Sequence, residues 1–401
     1  MSRFDSSDRV ASVPPSGIRK YFELAEEADD VISLGVGEPD FSAPWAAREA
    51  AIESLERGRT SYTANRGMLE LREAIAEDVV AWGLEYDPEE EIVVTAGASE
   101  AVDASMRAFV DSGDRVAVHE PTYVSYRPTI VFAGGEPLAV PTTAETEFVL
   151  TPEALRAAGA DEAEVLVLCY PNNPTGATAS RDELADIAAF CREHDLLVVA
   201  DEIYASLTYE SDHISIASLP GMRERTVVVN GFSKAYAMTG LRLGYALGPP
   251  DAMRAINRIH QYAMLSAPTT AQYAAVEAVR SCEDDLAEMR SSFDRRRRFV
   301  VSRFNELGMN CFEATGAFYA FPEVPALFDG DDEAFAEELL REESVALVPG
   351  SVFGEGGEGH LRVSYATGMD GLKEALSRIE RFVKARASGS SEASSSVSRS
   401  R

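Results

Sequence analysis

Residues 196–204 read LLVVADEIY. Five apolar residues follow one another with no polar break, which suits a short strand buried on both faces better than a half-exposed one. The run stops at an acid, Asp201, so a carboxylate stands where the strand ends. The same texture recurs at EIVVTAG, RVAVHE, EVLVLCY and TVVVNGF. Most of these runs are separated by stretches with helical spacing, such as SEAVDASMRAFV and SRDELADIAAFCREH. The second opens with Ser180 and Glu183 in the spacing of a capping box. Continuously apolar strands alternating with helices predict an α/β fold with a mainly parallel sheet covered on both faces.

From residue 267 onward the texture changes to long, charged helical segments. Short strands are expected in FYAFPEV, VALVPG and HLRVSYAT, followed by a closing helix over 371–387. This pattern predicts a second, smaller α+β lobe. The run Arg295 to Arg298 lies among acids and reads as a solvated helix face. Residues 388–401 are Ser-rich with no core-forming residue beyond one valine, and their composition predicts disorder.

The 401 residues carry 67 acids against 37 basic groups, a formal net charge of -30. Only Lys20, Lys234, Lys373 and Lys384 are lysines, so the other 33 basic residues are arginine. Such a balance predicts a protein kept soluble in strong salt, as in a halophilic host. It weighs against nucleic acid, which needs a basic patch. No apolar run approaches the ~18 residues of a membrane span, and the first residues have no signal-peptide core, so a cytoplasmic protein is expected. The four cysteines show no CxxC spacing and the five histidines no HExxH pattern. Isolated thiols and no metal site are expected.

Gly354, Gly356 and Gly359 fit GxGxxG, but glutamates sit inside the loop and a strand-like run comes after it, so no dinucleotide site is expected. The stronger signal lies at the strand ends, where ligands bind in open parallel sheets. EIVVTAG leads into a helix through Gly97, Ala98 and Ser99, a turn suited to phosphate. EVLVLCY runs into PNNPTG with Asn172 and Asn173, and TVVVNGFSK ends in Ser233 and Lys234. A phosphate cradle, a carboxylate, amide and hydroxyl groups and one lysine together match pyridoxal 5'-phosphate, whose aldehyde condenses with amines and whose ring nitrogen wants an acid.

With ISLGVGEPDF, YTANRGMLELREAI, PNNPTG, ADEIY, SKAYAMTGLRLGY and HLRVSYAT in order, the chain resembles class I aminotransferases of the aspartate-aminotransferase fold type, and within them archaeal aspartate and aromatic-amino-acid enzymes. The resemblance implies a seven-stranded, mainly parallel sheet in a large cofactor domain (46–279), a small domain (16–45 and 280–387), a mobile arm (1–15) and a homodimer with shared sites. By the same resemblance Lys234 would carry the cofactor, Asp201 would pair with its ring nitrogen, and Asn173 and Tyr204 would bond its phenolic oxygen. Tyr123 would stack on the ring. Gly97, Ala98, Ser99, Ser233 and Arg242 would hold the phosphate, joined by Tyr62 from the neighbouring subunit. Arg362 would take the substrate α-carboxylate, with Gly37, Asn173 and the apolar lid residue Ile18 beside it. The implied reaction is a ping-pong transfer of an amino group to a 2-oxo acid, which family habit would make 2-oxoglutarate. A carbon–sulfur β-lyase on the same fold would share every cofactor residue. No cation for a second substrate carboxylate is identifiable from spacing.

Overall fold

The computed structural model describes residues 5–26 and 30–398. Seven strands make the central sheet: β1 (Ile92–Thr95), β2 (Arg115–Glu120), β3 (Glu136–Pro141), β4 (Val165–Cys169), β5 (Leu197–Asp201), β6 (Thr226–Gly231) and β7 (Gly244–Leu247). Their order in space is β1-β7-β6-β5-β4-β2-β3. Neighbours run parallel except at β7, which is antiparallel to both β1 and β6. The five apolar runs are all strands, whereas β3 and β7 escape a reading by texture. Prolines bracket the first, and the second is four residues whose first two, Gly244 and Tyr245, close the SKAYAMTGLRLGY motif.

The helices that matter for the site are α1 (Gly17–Glu26), α2 (Ala98–Phe109), α3 (Arg181–Glu193), α4 (Pro250–Ala263), α5 (Thr269–Ser281), α6 (Glu283–Glu306) and α7 (Met369–Ser398). Alternation along the strands sends side chains to opposite faces. On one face Val165, Val167, Val199, Val227 and Val229 pack with Ala101 and Met106 of α2 and Met253 and Ile256 of α4. On the other, Leu166, Leu168, Val198 and Ala200 meet Leu184, Ile187 and Phe190 of α3, while Val94 and Val228 meet Ala271 and Ala274 of α5. The start of α3 has both arms of its capping box, Ser180 N to Glu183 Oε2 at 2.7 Å and Glu183 N to Ser180 Oγ at 3.3 Å.

A separate apolar cluster joins Phe293, Val300 and Phe304 of α6 to Phe318, Val363 and Leu372, Leu376 and Ile379 of α7. We propose that this cluster is the core of the smaller lobe. Its strands are short: Tyr319–Ala320 and Val348–Pro349 flank Leu361–Ser364 in an antiparallel sheet. The glycine-rich loop folds into two tight turns against the end of β2, where Cβ atoms on Gly354 and Gly356 would strike Glu120.

Two expectations are corrected. The arginine run is not a solvated face throughout: Arg296 and Arg297 are buried, and only Arg295 and Arg298 are exposed. Arg297 is held by Asp294, Glu210 and the Ala314 carbonyl, and Arg296 reaches Asp40 at 2.7 Å. A charge run read by composition cannot show which guanidinium groups meet carboxylates from distant segments. The closing helix also does not stop at residue 387 but continues to Ser398, since extending a packed helix costs far less than nucleating one. Of the expected arm, residues 1–4 lie outside the described residues. Within the remainder, Asp8–Ala11 form one turn of helix whose Arg9 Nη1 donates to the Phe132 carbonyl at 3.0 Å.

Candidate active site

The register of the sheet brings polar groups to one level. β4 and β5 pair Cys169 with Asp201, β5 and β6 pair Asp201 with Val229, and β6 and β7 pair Gly231 with Gly244. The turns leaving these strand ends therefore open on one cleft of about 690 Å³. Ala98, Ser99, Tyr123, Asn173, Asp201, Tyr204, Ser233, Lys234, Arg242 and Arg362 all line it, as do Gly37 and Ile18. Gly97 lies just behind, where a Cβ would come within 2.8 Å of Arg242 Nη2. Tyr62 is the exception: it is 79% exposed and does not line the cleft of its own chain.

Lys234 is on a short helix, Phe232–Ala235, immediately after β6. Its Nζ donates to the Gly37 carbonyl at 2.6 Å and stands 5.8 Å from the Tyr204 ring and 5.7 Å from that of Phe318. Burial, followed by the positive charge of Arg362, lowers this amine from its ordinary value to about 8. Both causes disfavour the charged form, so an appreciable fraction is a free base near neutrality.

Asp201 ends β5 and is buried. Its Oδ2 accepts from the Tyr126 hydroxyl at 2.7 Å and its Oδ1 from the Ile203 amide at 3.1 Å. Burial raises the carboxyl to about 6, and those two donors oppose the rise. A buried acid with its charge only partly compensated is suited to a cationic ring nitrogen arriving above it.

Arg362, on the Leu361–Ser364 strand, is almost fully buried. It donates through Nη1 to Asn173 Oδ1 at 2.9 Å and through Nη2 to the Gly35 carbonyl at 2.5 Å, and is sandwiched between the rings of Tyr319 and Phe353. Among the described residues its Nε has no acceptor. A buried unpaired donor on a fixed guanidinium fork is a seat for a carboxylate. Of the two asparagines in PNNPTG only Asn173 reaches the cleft. Asn172 ties the turn down through Pro121 and Thr175.

At the start of α2 the amides of Ala98 and Ser99 find no acceptor among the described residues, and Arg242 stands beside the turn. Free amides at the start of a twelve-residue helix next to a guanidinium bind anions. The cleft thus offers an anion seat, a buried carboxylate, a weakly basic lysine and a stacking ring in Tyr123, and these fit pyridoxal 5'-phosphate.

Sequence reasoning missed three residues. Tyr126 bonds Asp201, and Tyr319 bonds the Tyr204 hydroxyl at 2.8 Å while lying against Gly37. Tyr319 sits on an expected strand and Tyr126 opens a helix, Tyr126–Ala133, outside the expected elements; nothing local marks either as facing the cleft. Arg19 of α1 is a further cation on the lining, paired with Glu23 at 2.9 Å.

The same geometry has known counterparts. Residues 29–379 match the family aminotransferase class I and II. An aspartate aminotransferase from Pyrococcus abyssi is 44% identical, with 94% of this chain and 98% of that protein covered. An aromatic-amino-acid aminotransferase from Thermococcus litoralis is 42% identical over the same shares. The solved structure of an aromatic aminotransferase from Pyrococcus horikoshii superposes with a TM-score of 0.87 at 43% identity, covering 92% of this chain and 99% of that one. The carbon–sulfur lyase alternative finds no support in these relatives.

Tyr126→Phe removes a donor to a buried carboxylate, a loss of about 1.5–3 kcal/mol. Turnover should fall by roughly ten- to a hundredfold with an intact fold, as read by steady-state kinetics beside circular dichroism.

Proposed function

The chain belongs to the class I and II aminotransferases and is a pyridoxal-phosphate-dependent aminotransferase; from that premise we propose that it moves the amino group of aspartate or an aromatic L-amino acid to 2-oxoglutarate by ping-pong kinetics. The observation that carries the reading is the convergence on one cleft of an amine lowered to about 8 with the Asp201 carboxylate and the Arg362 guanidinium. The cofactor, when bound, supplies an aldehyde for the substrate amine and a ring that accepts the electron pair left on the substrate Cα.

Everything else is the work of the chain. Ser233, Arg242 and the free amides of Ala98 and Ser99 would hold the phosphate. Tyr123 would stack on the ring, Asp201 would keep its nitrogen protonated, and Asn173 and Tyr204 would bond its phenolic oxygen. Arg362 would fix the substrate α-carboxylate, so that the Cα–H bond faces Lys234. The unprotonated Nζ of Lys234 then takes the α-proton, as a general base near its optimal range. Gly37, whose carbonyl accepts from that Nζ, holds the amine in place between turns.

The choice of substrate rests on the relatives' names and on one side chain. Lys234, Arg242 and Arg362 have roles, which leaves Arg19 among the described basic groups lining the cleft. Its partner Glu23 would yield to a second substrate carboxylate, while an aromatic side chain would lie under Ile18 with the pair intact.

A homodimer is supported by the surface around Tyr62. That residue is 79% exposed and Tyr262 86%, and their segments are tied together by Asn65 to the Leu265 carbonyl and Thr269 to the Ser61 carbonyl. Exposed aromatic groups of this kind mark interaction sites. A salt-loving host agrees with the net charge of -30; the family alone suggests a biosynthetic, cytoplasmic role, and among the described residues no helix is long and apolar enough to cross a membrane.

Lys234→Ala should abolish turnover and borohydride trapping of the cofactor without unfolding the protein, and retained activity would end the proposal. Arg19→Gln should lower kcat/KM for aspartate by about tenfold, the value of one charge-assisted bond, and leave phenylalanine within about twofold; equal losses would remove Arg19 from substrate recognition. Sedimentation in molar and in low potassium chloride should show a dimer in the first and a loosened or unfolded species in the second. A fully active monomer would contradict the role given to Tyr62.

A further inference from the structure

Glu100 is the third residue of α2 counted from its cap at Gly97. In a capping box a glutamate at this place turns back to the helix start and satisfies an amide there. Here its two oxygens are both engaged elsewhere. Oε2 accepts from the Ala96 amide at 2.5 Å, one residue before the cap. Oε1 lies 2.6 Å from Nδ1 of His260, a fully buried side chain of α4. A carboxylate only accepts, so the imidazole donates. The other imidazole nitrogen, Nε2, has no partner among the described residues.

The position of this carboxylate is unusual for a site that receives a phosphate. An anion three residues into a helix is well placed to fill the helix's own positive end, and the next amides along, those of Ala98 and Ser99, are the free ones. Glu100 and an incoming phosphate are thus rivals for one seat. The rival is kept away by a donor from another helix. The Ala96 bond also braces the turn from behind, where Thr95 Oγ1 donates to the Gly97 carbonyl at 3.0 Å.

We propose that His260 is a positioning residue that holds the Glu100 carboxylate out of the phosphate seat, and that the pair thereby sets the affinity of this enzyme for the phosphate arm of its cofactor. The inference rests on the reading that residues 97–99 receive that phosphate. Without the imidazole, Glu100 loses its external partner and turns onto the free amides. The phosphate then has to displace a tethered anion.

The test is a titration of the full-length, cofactor-stripped protein with pyridoxal 5'-phosphate and, separately, with pyridoxal, the same aldehyde lacking the phosphate. His260→Phe should weaken binding of the phosphorylated form about tenfold, equivalent to about 1.4 kcal/mol, and leave pyridoxal within roughly twofold. Glu100→Gln, which removes the rival charge but can still accept from Ala96, should bind the phosphorylated form as tightly as wild type or tighter. The double variant should regain most of what His260→Phe loses. The proposal is overturned if His260→Phe leaves the phosphorylated form unaffected, weakens both ligands alike, or is not rescued by Glu100→Gln. Should His260→Phe fail to fold, Glu100→Gln alone decides, because a loss of about tenfold in that variant contradicts a rival carboxylate. Wild-type protein that binds pyridoxal as tightly as pyridoxal 5'-phosphate would instead refute the phosphate seat itself.

Discussion

A lysine must be kept weakly basic in a protein whose surface is crowded with acids, and the architecture around it serves that constraint. Charge-neutral amines are favoured by removing water and by placing positive charge nearby. Both are present at Lys234, where Arg362 is the first electrostatic neighbour and the rings of Tyr204 and Phe318 close the sides. Both nearby arginines are brought in by the fold. Arg362 comes from the Leu361–Ser364 strand, outside the central sheet, and Arg242 from the turn before β7, in the left-handed region at φ 53°.

That arrangement is costly, because buried like charges repel and each needs partners. The structure answers with neutral acceptors instead of carboxylates. Lys234 bonds the Gly37 carbonyl and Arg362 bonds the Gly35 carbonyl, so the backbone of one segment of the GVGEPD motif supports both groups, while the Glu38 carboxylate of that segment raises the amine against the lowering by burial and Arg362. Asp201 obeys the opposite logic. It is supplied with donors, a phenol and an amide, which preserve a carboxylate that burial alone would protonate.

Much of this is legible in the chain, and the reasons for the failures are physical. Five of the seven sheet strands and the start of α3 come from apolar run length and a local cap, both encoded within a few residues. Ala98, Ser99, Asn173, Asp201, Ser233 and Lys234 can be found because they lie at or just after the ends of those strands, and the sheet register delivers them to one level, whereas Tyr123, Arg242 and Arg362 are legible only through the family resemblance. Local pattern cannot carry partnership across long separations. Arg296 and Arg297 are buried by carboxylates and carbonyls far along the chain, Tyr126 faces Asp201 only once a helix docks, and Arg19 looks into the cleft only because α1 lies over it. The closing helix extends into a segment whose composition is poor in helix formers, since continuation from a packed turn does not depend on propensity alone.

The scarcity of lysine carries a further meaning beside the cofactor's chemistry. An aldehyde that reacts with amines will react with any that it meets. Three of the four lysines here, Lys20, Lys373 and Lys384, are paired with carboxylates on the surface, and Lys20 is held above its ordinary value by its bond to Glu337. Protonated amines are poor nucleophiles. The fourth bonds a neutral carbonyl and is lowered where Lys20 is raised. Using arginine for nearly all remaining positive charge therefore leaves a reactive carbonyl very few competing targets, so that the selectivity of the labelling reaction is written into the composition of the whole chain.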